Sequence, residues 1–204
     1  MAVNEIAAAL WQAAHTHGHA GLELEFRLGH ALPGGHFSPN VGKEQFHRLR
    51  AKLDASTAFG TITDIVTTDR IGTAKEVTTT SLAVDGVASE VPPPYCMTKS
   101  KIFQVDSTLD ECPYTIRTSL ALEKIVAHHD VGARITRHKT RRRYALANWA
   151  FDLTRVVSNA DLDAEETFEV EIELTDPGVL FEKTMDHIAS WGLDLVRDAV
   201  RMLA

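Results

Sequence analysis

The run GLELEFRLG, residues 21–29, alternates without a slip: Leu22, Leu24, Phe26 and Leu28 against Glu23, Glu25 and Arg27. Side chains on a β-strand point to opposite faces in turn, so this pattern predicts a half-buried strand with its whole charged set on one side. Near the other end of the chain FEVEIEL repeats it, with Glu169, Glu171 and Glu173 opposing Val170, Ile172 and Leu174. Same-face neighbours on a strand lie ~6.5–7 Å apart, so three carboxylates in a row repel one another. A bound cation relieves that repulsion, and hard divalent ions such as magnesium take oxygen ligands. Brought side by side, the two strands could share one metal among their acids.

The strands between them are mostly basic on the same period. YTIRTSLALE aligns Arg117, Ser119, Ala121 and Glu123; TRHKTRRRY aligns Arg137, Lys139, Arg141 and Arg143; FDLTRV aligns Asp152 and Thr154. MTKSKIF adds Lys99 and Lys101, and AKEVT adds Lys75. A sheet face carrying both signs is either solvated, as antiparallel sheets commonly are, or folded inward. An inward face must balance its acids against its bases, because unpaired buried charge is very costly. A metal on the acids and a polyanion on the bases would complete such a balance. Pattern alone leaves both arrangements open.

The flanks read as helices. Asn4 is a candidate N-cap for a helix through about His17 that ends near Gly18. HALPGGHFSP is a loop by its Gly and Pro content, and Ser38-Pro39 has the form of an N-cap with Pro at the first helical position, predicting a helix through about Leu53. From Gly60 to Val157 the chain is rich in Thr, Val, Ile and Tyr with turn punctuation at Asp85-Gly86 and Pro92-Pro93-Pro94, an antiparallel β region. NADLDAEET reads as a polar turn, and the tail from about Pro177 to Ala204 as a helix. The expected architecture is one α+β domain over residues 1–204, many antiparallel strands with helices before and after.

Composition narrows the classes. At 204 residues, 44% hydrophobic and 24% charged, the chain suits one substantial core rather than disorder. No apolar run approaches the roughly 20 residues that span a bilayer, so no membrane partner is expected. The N-terminus lacks a basic region and carries Glu5, so no signal peptide is expected. Two cysteines make no disulfide framework and suit a reducing compartment. A formal charge of −7 argues against a broad nucleic-acid binder, while leaving room for a local basic pocket that takes one phosphorylated end.

Taken in order, the motifs resemble the metal-dependent RNA 5′-triphosphatases of the triphosphate tunnel metalloenzyme superfamily, the fungal, protozoan and DNA-virus type of mRNA capping enzyme. ELEFRLG is similar to the first-strand Glu-x-Glu motif and EVEIEL to the last-strand acidic motif. Between them IRTSLALE, RHKTRRRY and FDLTRV follow the family's strand order. The resemblance spans Glu23 to Glu173 and implies a closed, eight-stranded type of antiparallel β-barrel with flanking helices. It implies that Glu23, Glu25, Glu171 and Glu173 ligate Mg²⁺ or Mn²⁺ with Glu169 in support. Lys139 and Arg141 would hold the γ-phosphate, Glu123 would orient or deprotonate the attacking water, and Asp152 would support that network. Arg117 and Lys99 would line the tunnel. The family's phosphate-binding Arg has no clean counterpart, and Lys75 is the substitute. Arg27 stands where a related branch, the thiamine triphosphatases and adenylate cyclases, carries Lys.

The implied reaction is γ-phosphate removal from triphosphate-ended RNA, the first step of capping, with a guanylyltransferase as partner and the nucleus as location. Tripolyphosphate or nucleoside triphosphate hydrolysis, and a non-catalytic binder of polyphosphate or RNA ends, are the alternatives. HTHGH at a helix end and AHHD between strands read as solvated segments rather than metal or hydrolase sites. Trp11, Trp149 and Trp191 read as core or rim packing. There is no P-loop.

Overall fold

A computed structural model describes residues 3–109, 112–159 and 165–203. A first helix, α1 (Val3–His17), leads into β1 (Leu22–Ala31), a 3₁₀ turn (Pro33–Gly35), β2 (Phe37–Ser38) and α2 (Lys43–Asp54). Then follow β3 (Thr61–Ile71), β4 (Lys75–Val84), β5 (Val87–Ala88), β6 (Tyr95–Thr108) and β7 (Thr115–Val126). The chain continues through β8 (Ile135–Leu146), β9 (Trp149–Asn159), β10 (Glu165–Leu174), a 3₁₀ turn (Pro177–Phe181) and α3 (Met185–Leu203).

Among the described residues, the strands run in the order β10, β9, β8, β3, β4, β6, β7, β1, and β1 pairs back onto β10. That last seam turns an open sheet into a closed, eight-stranded antiparallel barrel, with β2 and β5 as short additions on β1 and β4. Closure removes the sheet edges. The register at the seam sets Glu25 opposite Glu173 and Arg27 opposite Glu171, with Phe26 opposite Ile172 and Leu28 opposite Val170. Paired residues share a face, so the charged sets of both strands point into the barrel and the apolar sets point out.

The hydrophobic core therefore lies outside the barrel. Leu24, Phe26 and Leu28 of β1, Ile116 and Leu120 of β7, and Val170 and Ile172 of β10 are buried with Ile6 and Leu10 of α1, Leu49 and Leu53 of α2, and Ile188 and Val196 of α3. Each such side chain contributes about 1.5–3 kcal/mol on full burial. The helices are thus the apolar partner that lets an inverted, charged lumen exist. Gly192 permits the closest approach: a Cβ there would stand 2.5 Å from Phe26 and 2.6 Å from Trp149.

Asp85 and Gly86 join β4 to β5 with φ of 49° and 80°, the two left-handed residues of a tight hairpin turn. All three helix starts differ from the sequence reading, and Asn4, the candidate N-cap, already lies inside α1. Ser38 belongs to β2, and α2 begins only at Lys43. Asn40 Oδ1 accepts hydrogen bonds from the backbone N–H groups of Gly42 and Phe168, at 3.1 Å each, and Val41 N donates to Phe168 O at 2.9 Å. Those bonds keep residues 40–41 extended against β10, so the helix starts after the pin. In the tail, Pro177 opens a 3₁₀ turn rather than the helix; Thr184 Oγ1 accepts from His187 N at the true start. The polar turn expected at NADLDAEET lies mainly outside the described residues. Trp149 is core, whereas Trp11 is 56% exposed.

Candidate active site

Cross-strand register assembles the acids first. Glu25 and Glu173 are neighbours across the closing seam, and Glu171 lies one step further beside Arg27. Arg27 Nε is 2.7 Å from Glu171 Oε1, and its Nη2 is 3.0 Å from Glu25 Oε2. Lys99, opposite Glu123 in the β6–β7 ladder, reaches into the same group. Its ammonium pairs with Glu23 and lies 3.7 Å from Glu25 and 3.6 Å from Glu123.

The facing wall is β8, whose alternating bases each meet an acid from another strand. Arg137 pairs with Glu169 at 2.5 Å and Lys139 with Asp69 at 2.6 Å. Arg141 lies 2.9 Å from Asp152 and 3.5 Å from Glu171, and its Nε donates to Thr154 Oγ1 at 3.2 Å. Arg143 grips Asp152 with two hydrogen bonds of 2.8 and 2.6 Å and reaches Glu173 at 2.5 Å. Asp152, fully buried, is thus the counterion of two guanidiniums.

Burial and mutual charge tune these groups. Burial pushes the Glu173 carboxyl up to about 8, with Asp152 and Glu23 adding to the rise against Arg143 and Arg141. Glu25 is raised by burial too, with Glu171 and Glu23 adding and Arg27 and Lys99 opposing. At Glu171 burial is outweighed by Arg27, Arg141, Lys139 and Lys99, which hold it down at about 2. Burial would lower Lys99, but Glu25 and Glu23 win and hold it above its ordinary value. Burial, Arg137 and Arg141 press Lys139 below its ordinary value against the pull of Asp69.

Glu23, Glu25, Glu171 and Glu173 make an all-oxygen donor set of the kind a hard divalent cation takes. As the chain stands, their oxygens turn to Lys99, Arg27 and Arg143, and among the described residues no three acids converge on a point. Burial first, and neighbouring acids after it, raise the carboxyls of Glu25 and Glu173, and a cation beside them would favour their charged forms. The donor set fits a metal by its chemistry, with side-chain rotation needed to close the shell.

The candidate site residues differ in how closely they join this group. Lys75 lines a cavity of about 250 Å³ together with Lys139 and Arg141. Arg117 sits one step beyond, opposite Arg27, with its Nε 2.8 Å from Asp106 Oδ1 and its guanidinium 4.3 Å from the Phe37 ring, so it is already engaged. Sequence reasoning gave no role to Asp69, which partners Lys139, or to Arg137 and Arg143. The two arginines share the period of Lys139 and Arg141, which was signal enough. Asp69 sits in TITDIVTTDRI, a strand without a charged alternation, and only pairing with β8 reveals it. His128 of AHHD bonds Glu76 at 2.9 Å, apart from the acid cluster.

Known proteins share this plan. The family described as mRNA capping enzyme, beta chain, matches residues 87–190. The 5′ RNA triphosphatase of Paramecium bursaria Chlorella virus 1 is 32% identical over 190 residues, 91% of each chain. The S. pombe Pct1 RNA triphosphatase superposes with a TM-score of 0.79 at 16% identity, over 98% of this chain and 92% of its own. The Mimivirus capping enzyme triphosphatase gives 0.56 at 14% identity, over 97% and 96%. At those identities the two structures speak for the fold, while the viral sequence and the family match carry the lineage. A closed barrel with an acidic seam, facing a basic strand in this motif order, belongs with them: the chain is a member of the mRNA capping enzyme beta-chain family, built on the triphosphate tunnel.

Proposed function

We propose that the chain is an RNA 5′-triphosphatase that cleaves the γ-phosphate from triphosphate-ended RNA to leave a diphosphate end. The observation that carries this is the β1–β10 seam, which sets Glu25 opposite Glu173 inside a barrel whose facing strand is basic. A small closed barrel admits a flexible polyphosphate end and excludes a duplex.

The roles follow from position. Lys139 and Arg141 bind the γ-phosphoryl oxygens, with Asp69 and Asp152 positioning their ammonium and guanidinium groups. Lys75 adds positive charge from the neighbouring wall. Glu123, tethered near Lys99, orients the attacking water and accepts its proton. Asp152 fixes Arg141 and Arg143 as one unit, and Arg117, held by Asp106, lines the mouth. Glu23, Glu25, Glu171 and Glu173 would hold a divalent ion, magnesium or manganese, which would supply Lewis-acid polarisation of the phosphoryl oxygens, with Glu169 in support through Arg137. Water attacks phosphorus in line, the bond to the bridging oxygen breaks, and inorganic phosphate and a diphosphate-ended RNA leave.

A diphosphate end is the acceptor a guanylyltransferase needs, so we infer a place before that enzyme in capping. S. pombe Pct1 has been solved with the Spt5 CTD, a protein partner of that relative. A nuclear site of action rests on the capping role alone. Nucleoside triphosphates and tripolyphosphate share the group that the tunnel grips and are the alternative substrates.

The test is γ-phosphate release in magnesium from triphosphate-ended RNA, ATP and tripolyphosphate, by the wild type and Glu25→Ala. Release from RNA should fall by about 10–100-fold or more in the variant, the usual cost of damaging a metal shell. Intact RNA, with nucleotide hydrolysis indifferent to Glu25→Ala, would overturn the reading.

A further inference from the structure

One wall of the tunnel carries Val77, Leu82 and Tyr95 among Lys75, Thr67 and Thr79, and hydrolysis of a phosphate chain gives those apolar side chains no task. In-register rows cross from it to the basic strand. Tyr95 of β6 pairs with Val77 of β4, Val77 with Asp69 of β3, and Asp69 with Arg137 of β8. A second row runs from Leu82 through Ile65 to Arg141. Both border the cavity of about 250 Å³ that Lys75, Lys139 and Arg141 face, and Pro92 covers its rim.

Two departures from a regular barrel build this cavity. β4 and β6 pair only from Lys75–Met97 to Val77–Tyr95 and then part, so the seam opens where the cavity lies. On β4 the register slips opposite Val66 and Thr67, a bulge at Thr80. Strict alternation from Lys75, Val77 and Thr79 would turn Ser81 inward; the bulge turns Leu82 inward instead, opposite Ile65. At that one position the backbone sets an apolar side chain where strict alternation would have set a polar one. Burial, with Asp69 and Glu123 adding, holds the Tyr95 phenol above its ordinary value, so it brings no negative charge beside a phosphate.

We propose that this wall is a subsite for the first nucleoside of the substrate, seated against Tyr95, Val77 and Leu82 while Lys139 and Arg141 hold its triphosphate. The inference rests on the triphosphatase reading above and adds what the tunnel does with the atoms beyond the phosphates. An aromatic face with aliphatic neighbours accepts any base, so the subsite strengthens binding without selecting sequence.

Tripolyphosphate, which has no nucleoside, separates the two contributions. Tyr95→Ala should raise KM for triphosphate-ended RNA and ATP about tenfold, the effect of one lost stacking contact, and leave KM for tripolyphosphate unchanged. Tyr95→Phe keeps the ring and should match the wild type. A KM that moves equally for all three substrates, or for none, overturns the subsite. Because Tyr95 belongs to a seam, a second measurement uses the unaltered chain: calorimetric titration with ADP and with pyrophosphate. Tighter binding of ADP by about tenfold supports the subsite; equal or weaker binding overturns it. Failure to release phosphate from any substrate would count against the triphosphatase reading, while the titration still decides the subsite.

Discussion

Replacing Asp152 by Ala should be among the most damaging single changes in the lumen. Its carboxylate is fully buried and satisfies Arg141 at 2.9 Å and Arg143 at 2.6 Å, each of those side chains being about a quarter exposed. Removing one partner from a buried charge pair costs about 3–5 kcal/mol, because the other charge stays behind. Here Arg141 keeps Glu171 at 3.5 Å and Arg143 keeps Glu173 at 2.5 Å, and both guanidiniums retain some water, which argues for the lower end. We expect a loss of about 3 kcal/mol, or roughly 6–12 °C in Tm for a domain of this size. Asp152→Asn, which keeps an acceptor for Arg143, should lose less. Urea denaturation at neutral pH and low salt, read from midpoints at an unchanged m value, measures both. The variant leaves positive charge where a polyphosphate would bind, so saturating tripolyphosphate should narrow its gap to the wild type. A loss below about 1 kcal/mol, the value of an exposed pair, would refute the account. The lumen would then behave as open water, and its ion pairs could not be what balances the inward charges.

Two further outcomes test other parts of the account. Lys139 sits below its ordinary pKa through burial, Arg137 and Arg141, so its ammonium should be lost on the alkaline side before a free lysine's would be. kcat/KM should fall along that limb, and Lys139→Arg, which stays charged, should move the limb upward; a limb that stays put refutes the assignment. Between the folded and unfolded pKa values the folded chain binds fewer protons, so the contribution of Lys139 to stability rises with pH there. Gly192→Ala forces a methyl to within 2.5 Å of Phe26 and 2.6 Å of Trp149 and should cost about 1–3 kcal/mol in thermal or urea unfolding. Its activity per folded molecule should hold, since α3 presses on the outside of the barrel; a stability-neutral variant would mean the helix docks loosely.

What the amino-acid sequence determined by itself was local and periodic. The alternation of Glu23, Glu25 and Arg27 with Leu22, Leu24, Phe26 and Leu28 fixes which side chains share a face, because the two-residue repeat of a strand requires nothing beyond the strand. The same holds for Arg137, Lys139, Arg141 and Arg143, and for the Asp85-Gly86 turn. Whether those charged faces met water or one another was not local. It depended on β1 pairing with β10 from the opposite end of the chain, and on α1, α2 and α3 supplying the apolar partner outside. Only the resemblance to known tunnels anticipated that closure.

Tertiary structure alone decided the partnerships. Asp69 became the counterion of Lys139 because β3 lies beside β8. The start of α2 moved from Pro39 to Lys43 because Asn40 and Val41 bond to Phe168, on a strand more than a hundred residues away. Leu82 entered the tunnel because of one bulge. In each case the deciding interaction joins residues distant in the chain, and a pattern of period two carries no information about which strand will lie alongside.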